Sequence, residues 1–106
     1  MQHSERTLVG ERGRNIVYDV YRPDSPAVGV VALVHGLGEH AGRYGHVVAR
    51  LTDAGYLVIA PDHAGHGRSG GKRMGVTDFG DFVGDLGRVI GAVEHDDLPL
   101  YVVGHS

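Results

Sequence analysis

Apolar and polar positions change period several times along the chain, and each change marks an element. In "RNIVYDVYRP", Arg14 to Pro23, Ile16, Tyr18 and Val20 alternate with Val17, Asp19 and Tyr21. That is the period-two pattern of a half-exposed strand, ended by "PDSP". "TLVG", Thr7 to Gly10, is its expected hairpin partner across the turn "ERGR". Val28 to Gly36, "VGVVALVHG", is instead continuously apolar and β-branched, which fits a strand buried on both faces. In "RYGHVVARLTDAG", Tyr44, Val47, Val48 and Leu51 recur at helical spacing, and Gly55 suits the C′ position. "YLVIAPD", Tyr56 to Asp62, predicts a second buried strand, followed by the glycine-rich loop "HAGHGRSGGKRMG". "TDFGDFVGDLGRVIGAVEHDD" predicts a longer helix capped by Thr77 or Asp78, with Phe79, Phe82, Leu86, Val89 and Val93 as its apolar face. "LPLYVVGHS", Leu98 to Ser106, predicts a third buried strand.

The order β-β-β-α-β-α-β implies an α/β fold, a mostly parallel sheet flanked by helices and joined by right-handed crossovers. In such sheets the working residues collect at the carboxyl ends of the strands. Both "HGLG" and "GHS" are expected there. The 106 residues suffice for one small domain and not for two.

Composition changes this picture in one respect. Eighteen of 106 residues are glycine, about 17 per cent against an average of about 7, with no collagen-like period and no linker-like serine. Gly80, Gly84, Gly87 and Gly91 share one face of the second helix. Either that face packs closely against a neighbour, or the helix is weak and stands by tertiary packing. A net charge of −3 gives no basic face of the kind a nucleic-acid partner requires. The absence of cysteine excludes disulfide scaffolds, zinc ribbons and thiol catalysis. The first residues hold no apolar core of a signal peptide, and no apolar run approaches the ~20 residues of a membrane span. A cytoplasmic location is the expectation. The short basic loop "GGKR", Gly70 to Arg73, reads as solvent-facing.

Gly104-His105-Ser106 is the front of a G-x-S-x-G elbow, in which a serine sits on a sharp strand-to-helix turn with its hydroxyl above the sheet. Ser106 is therefore the candidate nucleophile. A serine nucleophile needs N–H donors for the oxyanion of its tetrahedral intermediate, each worth about 3 kcal/mol. One comes from the residue after the nucleophile and one from an earlier strand-helix loop. "HGLG", His35 to Gly38, is that loop, and the Leu37 N–H is the candidate donor. Gly36 lets the backbone come close, and Glu39 and His40 follow; all three are candidate substrate contacts. Asp62, His63 and His66 in "DHAGH" suit zinc by donor type. Their spacing matches no strong metal motif, so loop bracing is the preferred reading and no metal is expected. His46 and His95 read as surface or helix residues.

"HGLGEHAGRY", "APDHAGHGRSGGKR" and "YVVGHS" together resemble the amino-terminal part of the monoacylglycerol lipases of the α/β-hydrolase superfamily, from about Thr7 to Ser106. The resemblance implies a Ser-His-Asp triad with Ser106 as nucleophile, an acyl-enzyme, and no cofactor. It implies that the strand ending at His35 lies beside the strand ending at Ser106. It makes His35, Gly104 and His105 structural, holding the loop and the elbow. The substrate class would be monoacylglycerols or similar lipid esters, cleaved to glycerol and fatty acid, with transient contact at a membrane surface. The acid and base of the triad follow the nucleophile in chain order, and the cap also lies beyond Ser106. The 106 residues are thus expected to be the amino-terminal part of one hydrolase domain, partnered by the remainder of the same chain and inactive without it. Rival readings are a lysophospholipase or short-chain carboxylesterase of the same fold, a non-catalytic hydrolase-like binding module, and a metal-dependent hydrolase built on "DHAGH".

Overall fold

The computed structural model describes residues 1–36, 38–73, 75, 78–95 and 97–105. The apolar runs pair into one sheet. Its elements are β1 (Gln2–Val9), β2 (Asn15–Arg22), β3 (Gly29–Val34), α1 (Gly45–Asp53), β4 (Tyr56–Pro61), α2 (Phe79–Ala92) and β5 (Leu100–Gly104). Single turns of 3₁₀ helix cover Glu11–Gly13 and Ala41–Tyr44. The strand order is β1-β2-β4-β3-β5. β3 runs parallel to β4 and β5, while β2 is antiparallel to β1 and β4. The sheet is therefore mixed, its parallel part being the three strands connected through helices.

The helices cover opposite faces. On one, Val89 and Val93 close over Ile16, Tyr18, Val20, Val30, Leu57 and Ile59. On the other, Val48 packs on Leu33, Val58 and Ala60. Buried on both faces, β3 and β4 need no polar alternation, which is why their sequences are continuously apolar. α1 ends as its sequence predicts: Gly55 takes φ +95° and its N–H bonds the Thr52 carbonyl, a left-handed exit open to glycine without a Cβ penalty.

Four expectations are corrected. β1 starts at Gln2 rather than Thr7. Its first half is polar and carries no hydrophobic signal, yet the ladder runs from Gln2 opposite Arg22 to Val9 opposite Asn15, and the His3 ring stacks on Tyr21 at 4.3 Å. β2 is not half-exposed: Ile16 through Val20 are all buried, Asp19 among them, because β1 and β4 flank it and side-chain partners neutralise its one charge. α2 ends at Ala92 rather than running on towards Asp97, since Val93 turns extended, φ −102° and ψ 129°, to fill the core. β5 is exposed along its whole length. It is the edge strand of the described sheet, paired on one side only by β3.

The α2 face also differs from its apolar reading. Phe79 is 75% exposed, and the helix buries Asp81 and Asp85 alongside Val89. Asp81 receives Arg12 Nε at 2.8 Å and Arg14 Nη2 at 2.7 Å, and Asp85 accepts the Glu11 N–H at 2.6 Å. Two carboxylates one turn apart thus clamp the β1–β2 turn to the helix. Asp78 caps α2, its Oδ1 accepting the Gly80 N–H at 2.8 Å; the other candidate cap, Thr77, lies outside the described residues.

The glycine stripe divides. A Cβ on Gly84 would strike the Glu11 side chain, whereas one on Gly87 or Gly91 would meet nothing within 4 Å among the described residues. Close approach accounts for Gly84 and, against the capping Asp78 Oδ1 at 3.0 Å, for Gly80. Gly87→Ala is accordingly expected to raise unfolding free energy by about 1 kcal/mol through helix propensity, read as a shift in urea midpoint at unchanged m-value. A destabilised variant would show that something else covers this face.

Candidate active site

The site is built where β3 and β5 end side by side. Their parallel register sets Val34 opposite Gly104, and the His105 N–H bonds the Val34 carbonyl at 3.0 Å. His105 and Gly36 are thereby brought into contact. A Cβ on Gly36 would lie 3.0 Å from the His105 carbonyl oxygen and 2.8 Å from Glu39 Oε1, so only glycine fits between them. Leu37 and Ser106 themselves lie outside the described residues; their neighbours Gly36, Gly38, Gly104 and His105 fix the frame around them.

His35 is buried at the end of β3. Its Nε2 accepts the His63 N–H at 2.9 Å, so its Nδ1 carries the proton and donates to the Gly36 carbonyl at 2.8 Å. Burial pushes its pKa down, in keeping with this neutral tautomer. His63 donates from Nε2 to the His35 carbonyl at 3.0 Å and stacks on Phe82 at 4.5 Å. Burial, and then the neighbouring His35, pull its pKa down to about 4. The two imidazoles therefore lace the β3 end to the β4 end as neutral hydrogen-bonding groups. His66 is buried with Nδ1 on the Ala64 carbonyl at 3.0 Å. Among the described residues no cluster of His, Asp and Glu converges as a metal site.

Glu39 and His40 diverge. Glu39 Oε1 accepts from the Tyr44 hydroxyl at 2.7 Å, the Gly36 N–H at 2.8 Å and His105 Nδ1 at 3.0 Å. The tyrosine bond first, then the Gly36 N–H and His105, hold the carboxyl down to about 2. His40 is exposed and opens instead onto a groove shared with His3, Tyr21 and Arg68. Beside the two strand ends lies a cavity of about 540 Å³, lined by His35, His63, Phe82, Val83, Val102 and His105.

Behind the loop stands a network that residue spacing did not reveal. Asp62 is 1% exposed. Its Oδ1 accepts the Ala41 N–H at 2.7 Å, and its Oδ2 accepts Arg68 N–H and Nε at 3.0 and 2.8 Å. Arg68 continues as a two-pronged bridge to Asp19, Nη1 to Oδ1 at 3.1 Å and Nη2 to Oδ2 at 2.7 Å. Ser69 Oγ donates to the Asp62 carbonyl and accepts the Val17 N–H. The signal available in sequence was Asp19, the one charge inside an apolar strand.

The geometry so described has close relatives. The family model described as serine aminopeptidase, S33, matches residues 25–106, and the chain belongs to this family of α/β-hydrolases. It is 52% identical over 97% of its length to a monoacylglycerol lipase of Mycolicibacterium smegmatis, and 37% identical over 93% to the monoglyceride lipase of Homo sapiens. It covers 38% and 33% of those two proteins. Among solved structures, it is similar to a thermostable carboxyl esterase from Bacillus coagulans in complex with glycerol, with TM-score 0.90 and 31% identity over 99% of this chain and 36% of that one. A lipase in an open form gives TM-score 0.84 and 37% identity, again over 99% and 36%.

Proposed function

We propose that these residues form the nucleophile and oxyanion half of a monoacylglycerol lipase. The observation that carries the reading is the parallel pairing of β3 with β5, which sets Gly36 against His105, one residue before the proposed oxyanion donor and one before the proposed nucleophile. Ser106 Oγ attacks the ester carbonyl, and a histidine from chain beyond Ser106, oriented by an aspartate, takes its proton. The Leu37 N–H and the N–H following Ser106 hold the oxyanion. The tetrahedral intermediate collapses, glycerol leaves with the proton returned by the histidine, and water then hydrolyses the acyl-enzyme to free fatty acid.

Two features support a contribution from further chain. The relatives are two to three times longer than this chain. The apolar edge strand β5 and the exposed Phe79 and Val83 border the cavity, and exposed apolar edges of this kind are normally covered or paired. His35, with both ring nitrogens on backbone groups, and His63, whose Nε2 donates to the His35 carbonyl, are held as bracing groups at the strand ends.

The test is a substrate panel on the full-length enzyme. Monoacylglycerols of graded chain length should outrun lysophospholipids and short-chain p-nitrophenyl esters in kcat/KM, and a fluorophosphonate should add once, at Ser106. Preference for the lysophospholipid or the short ester would move the assignment to those activities. No adduct and no turnover would favour a binding module.

A further inference from the structure

Glu39 joins the two loops on which the proposed oxyanion hole depends. One oxygen, Oε1, is the common acceptor of the Gly36 N–H at 2.8 Å and of His105 Nδ1 at 3.0 Å, with the Tyr44 hydroxyl as third donor at 2.7 Å. Gly36 immediately precedes Leu37, and His105 immediately precedes Ser106. The carboxylate therefore spans the gap between the donor loop and the nucleophile's strand. Its other oxygen faces Arg43 Nη1 at 3.5 Å.

We propose that Glu39 is a positioning residue. Its carboxylate fixes the separation of the 36–44 loop from the chain at His105, so that the two N–H donors converge on the ester oxygen. It acts through His105 and Gly36 rather than by touching substrate. The proposal rests on the serine-hydrolase reading above.

Three arguments converge. Oε1 is saturated by donors from the protein itself, which leaves it no role towards a ligand. A bare carboxylate beside an oxyanion hole would oppose the charge that develops there, but three donors and Arg43 disperse this one. And the arrangement must be tight, since Gly36 has no room for a Cβ between Glu39 and His105. The bond also assigns a tautomer: with Glu39 ionised, His105 donates from Nδ1.

The experiment compares Glu39→Leu, Glu39→Gln, His105→Ala and His105→Asn in the full-length enzyme, measuring kcat and KM on a monoacylglycerol and on a short ester without glycerol. Glu39→Leu should lower kcat about 100-fold on both substrates, the scale of a misplacement near 1 Å, with KM little changed. Glu39→Gln, which keeps the acceptor oxygen, should restore most of it. His105→Ala should fall as far as Glu39→Leu, and the double variant no further, as expected when two residues form one unit. His105→Asn, which keeps an N–H donor, should recover. A rise in KM confined to the glycerol ester would overturn the proposal in favour of headgroup contact, and losses that multiply in the double variant would overturn it in favour of independent roles. Should Glu39→Leu not fold, the His105 pair alone decides. If the wild-type enzyme neither turns over nor accepts a fluorophosphonate, the hydrolase reading falls and the catalytic role with it. A downfield His105 Nδ1 proton, expected in wild type and in Glu39→Gln and lost in Glu39→Leu, then reports the clamp by itself, and its absence from wild type would overturn it.

Discussion

Replacing Ser106 by alanine in the full-length enzyme is expected to lower kcat for monoacylglycerol by about six orders of magnitude, the scale seen when the nucleophile of a serine triad is removed. KM should change little, since binding of the acyl chain and glycerol does not use the hydroxyl. What remains should be the modest residual rate that an oxyanion hole and substrate binding confer without a nucleophile. The fluorophosphonate adduct should disappear with the activity. Ser106→Cys gives a sharper reading: it keeps a nucleophile at the same point of the chain and should retain slow acyl transfer with an altered pH profile. Activity in Ser106→Ala within about tenfold of wild type, far from the cost of losing a triad member, would mean that the catalytic nucleophile lies elsewhere. The β3–β5 pairing would then serve architecture alone.

Much of this fold could be read from periodicity because its central strands obey it. β3 and β4 are buried on both faces and show as unbroken apolar runs; α1 shows as a clean 3.6-residue repeat ending in Gly55. The readings that changed are those in which polar groups are buried with partners distant in sequence. Asp19 is compatible with an outward-facing strand position until Arg68, 49 residues later, is seen to bridge it to Asp62. Asp81 and Asp85 resemble solvated helix positions until Arg12, Arg14 and the Glu11 N–H arrive from the β1–β2 turn. Hydrophobic pattern carries no record of such pairings. β5 failed differently: its composition is that of an interior strand, and its exposure follows from what stands next to it, which no property of the strand itself encodes. The site residues divide the same way. The strand ends pointed to the 35–38 loop and to His105, and the structure sets Gly36 of that loop beside His105. That Glu39 turns inward to Gly36 and His105 while His40 turns out to another groove required coordinates, since adjacent loop residues have no fixed period to separate them.

The network behind the loop supports the second large effect. Asp62→Ala is expected to destabilise the protein by roughly 3 kcal/mol, the lower end of the range for breaking a buried charged pair, because Arg68 is partly exposed and recovers some solvation. The loss has two parts. The buried Ala41 N–H is left without its acceptor, and Arg68 loses one of the three carboxylates it pairs with, keeping Asp19 and Glu5. Asp62→Asn should not rescue it well. An amide oxygen can still serve Ala41, but its NH₂ would then face the Arg68 N–H and Nε, donor against donor. The pH dependence separates this mechanism from a packing defect. Burial alone would raise the Asp62 carboxyl, but the hydrogen bonds from the Arg68 side chain and main chain and from Ala41 outweigh it, and the net effect is a lowered pKa. A carboxyl lowered on folding contributes stability that is complete above the ordinary carboxylate range and is lost as pH falls through its folded value. The gap in unfolding free energy between wild type and Asp62→Asn should therefore be widest at neutral pH and narrow in acid, as measured by urea unfolding across a pH series. A gap that stays constant with pH would show that shape, not charge, is what Asp62 supplies. Because Asp62 holds Ala41 and Glu39 holds Gly36, the 36–44 loop is pinned at two points five residues apart in the chain. Loss of the rear pin should lower kcat even at temperatures where Asp62→Asn is fully folded, which would tie the stability of this network to the geometry of the proposed oxyanion hole.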